Sequence, residues 1–179
     1  MKDKIPQRIL IIGNFGAGKS WLAQQISNIF ALPTISMDRV LESVPGEAPK
    51  DRRIFAAAIQ LHIQPASWIL EGAYADGATL AILHADLLLW LDLPTADCLR
   101  NIAHRQAKQK IQGGGLSAAD WTILEDATQN FDKSQSLSSR SAMQSIFDLC
   151  PTQKLRFESA LEASEWVHSL PQSRNPPKL

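Results

Sequence analysis

Two kinds of segment alternate along this 179-residue chain. RILII (Arg8 to Ile12) reads as a continuous apolar strand buried on both faces of a sheet, TIS (Thr34 to Ser36) after Pro33 as a short strand candidate, SWIL (Ser67 to Leu70) and DLLLWLDL (Asp86 to Leu93) as clearer strands, and KLRF (Lys154 to Phe157) as the last one. Between them the apolar period lengthens to three or four. SWLAQQISNIF puts Leu22, Ile26 and Ile29 on one helical face, and further helices are predicted over 52–62, 78–84, 96–110 and 135–147. A last helix opens on SALE, a capping box of Ser159 and Glu162, with Leu161, Trp166 and Val167 as its apolar face. Five strands separated by helices predict an α/β fold. The expected architecture is a three-layer α/β/α sandwich around a five-stranded parallel sheet with right-handed crossovers.

Two segments fit this layering poorly and are expected to be mobile: VPGEAPK (Val44 to Lys50) and KIQGGGL (Lys110 to Leu116). No internal repeat is visible, so residues 1–170 are expected to form one domain, with 171–179 as a disordered tail. Composition supports an ordinary globular chain: 45% hydrophobic, 20% charged, formal net charge zero. Zero net charge gives no general field for nucleic acid or an anionic membrane. Cys98 and Cys150 are far apart and match no metal-ligand spacing, which suits free thiols in a reducing compartment. No apolar stretch is long enough to span a membrane, and the apolar run after the charged N-terminus is too short for the core of a signal segment, so a cytoplasmic protein is expected.

The chemistry concentrates where the first strand ends. Gly13-Asn14-Phe15-Gly16-Ala17-Gly18-Lys19-Ser20 satisfies G-x-x-x-x-G-K-[ST] at every fixed position, with a strand before it and a helix after. Glycines free the backbone to aim successive N–H groups inward at phosphate oxygens, and the following helix adds its positive dipole end. Lys19 can then reach the β- and γ-phosphates, and the Ser20 hydroxyl can ligate Mg²⁺. The nucleotide-binding set is Gly13 to Ser20 with the next residue, Trp21; the implied cofactors are ATP and Mg²⁺.

Beyond this loop, ILIIGNFGAGKSWLAQQI, LPTISMDRV, SWILEGAY and LLLWLDLPTADCLRNIAHR occur in an order and spacing that resemble the P-loop kinases of the adenylate-kinase-like, nucleoside-monophosphate-kinase fold. The resemblance is strongest to the small bacterial topology modulation proteins, or adenylate-kinase-related ATPases. It covers most of Arg8 to Arg105 and thins afterwards. It implies an acceptor-binding insert at about 38–64 and a mobile lid at about 106–135. It also implies an acidic residue and glycine ending the third strand, met here by Glu71-Gly72, where Asp-Gly is usual. A carboxylate at that strand end lies beside the phosphate site and can hold Mg²⁺ directly or through water, or be a solvated strand end. Asp38 stands where related kinases orient the acceptor, though Ser36 or Asp38 can equally cap the next helix. Arg39, Arg52 and Arg53 lie in the acceptor region. Asp92 is structural or supporting by the same likeness. Arg105, at the lid entrance, is the candidate for neutralising the transferring phosphoryl, and Arg140 is a second candidate cation.

The chain also departs from that pattern. Ala73-Tyr74-Ala75-Asp76 follows Glu71-Gly72 where adenylate kinases carry Phe-Pro-Arg, so AMP specificity is not supported. Tyr74 can stack on an acceptor ring or pack under the lid. From Gln106 to Ser139 there is no arginine, only Lys108, Lys110 and Lys133. Two readings follow. One is a Mg²⁺-dependent phosphotransferase from ATP to a small acceptor, nucleosides and nucleotides included. The other is a regulatory nucleotide-binding ATPase with little acceptor chemistry. The family's name points to DNA topology, but the balanced charge does not support direct nucleic-acid binding, and no membrane partner is expected.

Overall fold

A computed structural model describes residues 6–112 and 115–171. The elements run β1 (Arg8–Gly13), α1 (Lys19–Phe30), β2 (Thr34–Ser36), α2 (Met37–Ser43), α3 (Arg52–His62), β3 (Trp68–Gly72), α4 (Ala75–Ile82), β4 (Leu87–Leu91), α5 (Thr95–Gln112), α6 (Ala118–Gln129), α7 (Arg140–Leu149), β5 (Gln153–Phe157) and α8 (Ala160–Ser169). All four strand pairings are parallel, in the order β2-β3-β1-β4-β5. The expected three-layer α/β/α architecture is therefore the observed one.

The unbroken apolar strands divide their side chains between two cores. Leu10, Ile12, Leu70, Leu88 and Trp90 pack with Met37, Phe55, Ile59, Ala78 and Met143, so α2, α3, α4 and α7 cover one face. Ile9, Ile11, Ile69, Leu87 and Leu89 pack with Leu22, Ile26, Cys98, Ala163 and Val167, so α1, α5 and α8 cover the other. Strand order reverses at β1: its partners β3 and β4 lie on opposite sides of it. Ligands of open α/β sheets bind beyond the strand C-termini at such a point, which is where the glycine-rich loop lies.

Several boundaries differ from the sequence reading, each for a local reason. Helix α6 was not anticipated, because only Trp121 and Thr128 are buried on it and it packs on α5 rather than on the sheet. Its start carries a full capping box between Ser117 and Asp120. Helix α7 begins at Arg140, not 135, because Ser139 caps it by accepting from the Ala142 N–H. In α8 the inward row is Ala163 and Val167, which leaves Leu161 66% exposed and off the expected apolar face. Ser159 caps that helix, but Glu162 accepts from the Glu158 N–H rather than completing a box with Ser159. Segment 38–64 holds α2 and α3; α5 continues through the start of the expected glycine loop to Gln112, while Gly113, Gly114 and the tail from residue 172 lie outside the described residues.

One carboxylate aligns the strand starts. Asp86, just before β4, accepts from the backbone N–H groups of Gln7 and Arg8, both at 3.0 Å, and forms an ion pair with Arg8 at 2.7 Å. The Arg8 hydrogen bond is the main cause holding the Asp86 carboxyl below its ordinary range, with the two N–H donors adding to it. A depressed carboxyl stabilises the fold above its unfolded pKa and loses that contribution as pH falls through the folded value. Asp86→Asn should therefore cost about 1 kcal/mol in urea unfolding at neutral pH, a modest figure because the pair is partly exposed. The deficit should shrink in acid. Equal stability at neutral pH would contradict this account.

Candidate active site

The loop between β1 and α1 is a backbone cradle, and its shape explains its glycines. Gly13 takes φ +150°, and a Cβ there would lie 2.5 Å from the Leu91 carbonyl oxygen at the end of β4. Gly16 takes φ +75°, and a Cβ would lie 2.4 Å from the Cys98 carbonyl oxygen, so glycine lets α5 pass directly against the loop. Gly18 is the N-cap of α1 and supplies no side-chain cap. The first N–H groups of α1 have no acceptor within the helix and are offered to a ligand, together with the dipole's positive end.

Lys19 is 6% exposed, with Nζ donating to the Asn14 carbonyl oxygen at 2.8 Å. Burial lowers its ammonium pKa; Glu71 and Asp38 pull the other way, and the Arg105 charge reinforces the lowering. A buried cation of this kind gains from an anionic partner. Ser20 Oγ donates to Glu71 Oε1 at 3.1 Å, placing hydroxyl and carboxylate side by side at the end of β3. Glu71 is 3% exposed, and its Oε2 is buried without a hydrogen-bond partner among the described residues. A desolvated carboxylate oxygen facing the cradle is a demand for a cation. No group of three or more His, Cys, Asp or Glu residues that could hold a metal exists among the described residues. Ser20 and Glu71 thus suit Mg²⁺ that takes its other oxygens from phosphate and water, as Mg²⁺ commonly does.

The cradle opens into a cleft of about 1020 Å³, and Asp38, Arg39, Tyr74, Arg105 and Trp21 line it along with the loop. Ser36 occupies the N-cap position of α2 but makes no side-chain cap bond, and Asp38 lies in the first turn. Neither performs the capping role open to it in the sequence. Tyr74 packs edge-on between Phe15 (centroids 6.1 Å apart) and Phe55 (5.9 Å). Its phenol is held protonated, first by burial and then by the Asp38 carboxylate. Arg52 makes a two-pronged pair with Asp76, Nε to Oδ2 at 2.8 Å and Nη2 to Oδ1 at 2.6 Å. Its guanidinium also lies 4.4 Å from the Phe55 centroid and 5.0 Å from that of Tyr74. Arg53 pairs with Asp51 at the surface.

On the opposite wall, Arg105 rests over the Trp121 ring at 5.2 Å. Trp121 belongs to α6 and had no sequence signal as a site residue; the stacking orients an otherwise long, free side chain. Two further ties had no signal either: Asn101 Nδ2 donates to the Gly16 carbonyl oxygen at 2.9 Å, and Asn14 Nδ2 to that of Thr128 at 3.2 Å. The first falls one helical turn before Arg105, so α5 supplies both a loop brace and a cation. The second ties the phosphate loop directly to α6. Cys98, on the α5 turn facing Gly16, has its thiol pushed up to about 11, chiefly by burial. Arg140 stands apart from the cleft lining. It donates to both oxygens of buried Asp92, at 3.0 and 2.8 Å, and Arg156 pairs with the same carboxylate.

No family model and no curated protein matches the sequence. Solved structures do match the fold. The shikimate kinase of Acinetobacter baumannii in complex with shikimate superposes with a TM-score of 0.58 at 12% identity, covering 92% of this chain and 90% of that one. The shikimate kinase of Bacteroides thetaiotaomicron gives 0.58 at 17% identity, over 91% and 95%. This is the fold of the small P-loop kinases. A gluconokinase from Sinorhizobium meliloti 1021 shares it, with a TM-score of 0.54 at 15% identity over 92% and 89%. At these identities the likeness is one of fold, and the chemistry rests on this chain's own residues.

Proposed function

We propose that the protein is a Mg²⁺-dependent phosphotransferase that moves the γ-phosphoryl group of ATP to a hydroxyl of a small acceptor. The observation that carries this reading is the pairing of the phosphate cradle with Glu71 Oε2, buried and unpartnered beside Ser20. In this reading the cradle N–H groups and Lys19 hold the triphosphate, and Ser20 and Glu71 hold Mg²⁺, which would neutralise phosphate charge. Asp38, held next to the Tyr74 phenol, orients the acceptor hydroxyl and takes its proton. The acceptor oxygen bonds to the γ-phosphorus as the bridging P–O bond breaks, and ADP leaves with that electron pair. Arg105 follows the moving charge from the Trp121 shelf. Arg140 enters only as a positioning residue, through Asp92 at the end of β4.

The test is ADP release with Mg·ATP against a panel of nucleosides, nucleotides, sugars and polyols. Acceptor-stimulated turnover supports the transferase. Arg105→Ala should lower turnover by about 100-fold with nucleotide affinity changed by less than roughly threefold. Loss of affinity alone would remove Arg105 from the transfer step.

A second reading, the regulatory ATPase, has its own observation. The Asn14–Thr128 bond links the cradle to α6, and no arginine lies between Gln106 and Ser139 to complete a charged lid. The finer resemblance to topology modulation proteins goes with this reading. Slow turnover indifferent to every acceptor is its expected result.

A further inference from the structure

The acceptor end of the cleft has an unusual charge balance, and it bears on what can enter. Among the described residues, four carboxylates line the cleft, Asp38, Glu42, Glu71 and Asp120, against three cations, Lys19, Arg39 and Arg105. Lys19 and Arg105 stand at the phosphate cradle, Glu71 beside Ser20, and Asp120 in the capping box of α6 with Ser117. What remains around Tyr74 is Asp38 and Glu42, with Arg39 between them on the same helix, a net negative wall.

Among the described residues, the one further arginine near that wall is already engaged. Both prongs of Arg52 are taken by Asp76, which is itself 22% exposed. The flat guanidinium is held against Phe55 and Tyr74, one ring back from the cleft. Binding a carboxylate or phosphate there would mean breaking a two-pronged charged pair and bringing a second anion against Asp38 and Glu42. An ammonium or a hydroxyl meets no such obstacle, since both donate hydrogen bonds to carboxylates.

Resting on the transferase reading, we infer that the acceptor is a hydroxyl compound carrying no carboxylate or phosphate, uncharged or amine-bearing, and that the Arg52–Asp76 pair is what excludes hydroxy acids. The site differs in this respect from what acceptors such as shikimate or gluconate, both carboxylates, would require.

The experiment begins with calorimetric titration of Mg·ADP, whose failure to bind would sink the transferase reading itself. The Mg·ADP-loaded protein is then titrated with shikimate and gluconate. The wild type is expected to show no saturable binding of either at millimolar concentration; saturable binding of either overturns the inference and leaves the function intact. Asp76→Asn, which releases Arg52, should gain at least about tenfold in affinity for one of them. No gain in a folded Asp76→Asn protein overturns the assigned exclusion. Glu42→Gln provides a second variant outside the ion pair and should move affinity for the acids in the same direction; an unchanged or weaker affinity counts against the negative wall. Among matched acceptors, glucosamine or glucose is expected to exceed glucuronate in stimulating ADP release, and the reverse order overturns the inference.

Discussion

Replacing Lys19 by alanine should weaken Mg·ATP binding by about 10- to 100-fold, the worth of a charge-assisted hydrogen bond to phosphate. Turnover should fall further, by about 100- to 1000-fold, because the ammonium also stabilises charge that develops during transfer. The unliganded fold should barely respond. The Asn14 carbonyl oxygen that Lys19 contacts at 2.8 Å also accepts from the Ala17 N–H at 3.2 Å, so it keeps a partner. Removing a buried ammonium also removes its desolvation cost. Isothermal titration with Mg·ATP, paired with thermal unfolding of the unliganded variant, separates the two effects. Unchanged affinity would show that the glycine-rich loop does not hold the triphosphate.

The second large effect is expected at Glu71. Glu71→Gln keeps size and shape and leaves an oxygen to accept from Ser20, which now lies 3.1 Å from Oε1. It removes the negative charge and replaces the unpartnered Oε2 by an amide nitrogen, a donor that cannot bind a cation. The Mg²⁺ concentration for half-maximal turnover should rise by roughly 10- to 100-fold, with partial recovery in excess Mg²⁺. Magnesium titrations of the two proteins at saturating ATP decide this. An unaltered magnesium requirement would mean that Glu71 is only a buried strand end.

Much of this site is local in sequence, and that is why it was legible. The phosphate loop needs one strand, one turn and one helix in order, and 19 consecutive residues from Arg8 to Ile26 contain them all. Strands β1, β3 and β4 were readable because a parallel sheet covered on both faces forces continuous apolar runs, and α3 was read over its observed span because Phe55 and Ile59 face the core. Glu71 was legible for the same reason, as a charge ending a buried strand.

What could not be read depends on contacts between distant segments. The Arg52–Asp76 pair joins residues 24 apart, and the Asn14–Thr128 bond residues 114 apart, with no local pattern to announce either. Helix α6 lacked an apolar stripe because its partner is another helix at the cleft rim, so nothing in the sequence singled out Trp121. Its start could have been found: Ser117 and Asp120 are spaced as a capping pair. For Arg140, sequence position after the expected lid suggested a free cation, whereas buried Asp92 holds it.

The central claim is that phosphoryl leaves ATP for a hydroxyl rather than for water. Phosphorus NMR of a reaction containing Mg·ATP and the most stimulating compound of the acceptor panel tests it directly. The account predicts a phosphate-ester resonance growing in step with ADP and absent from a Lys19→Ala sample. ADP appearing only with inorganic phosphate, at a rate no acceptor alters, would contradict it.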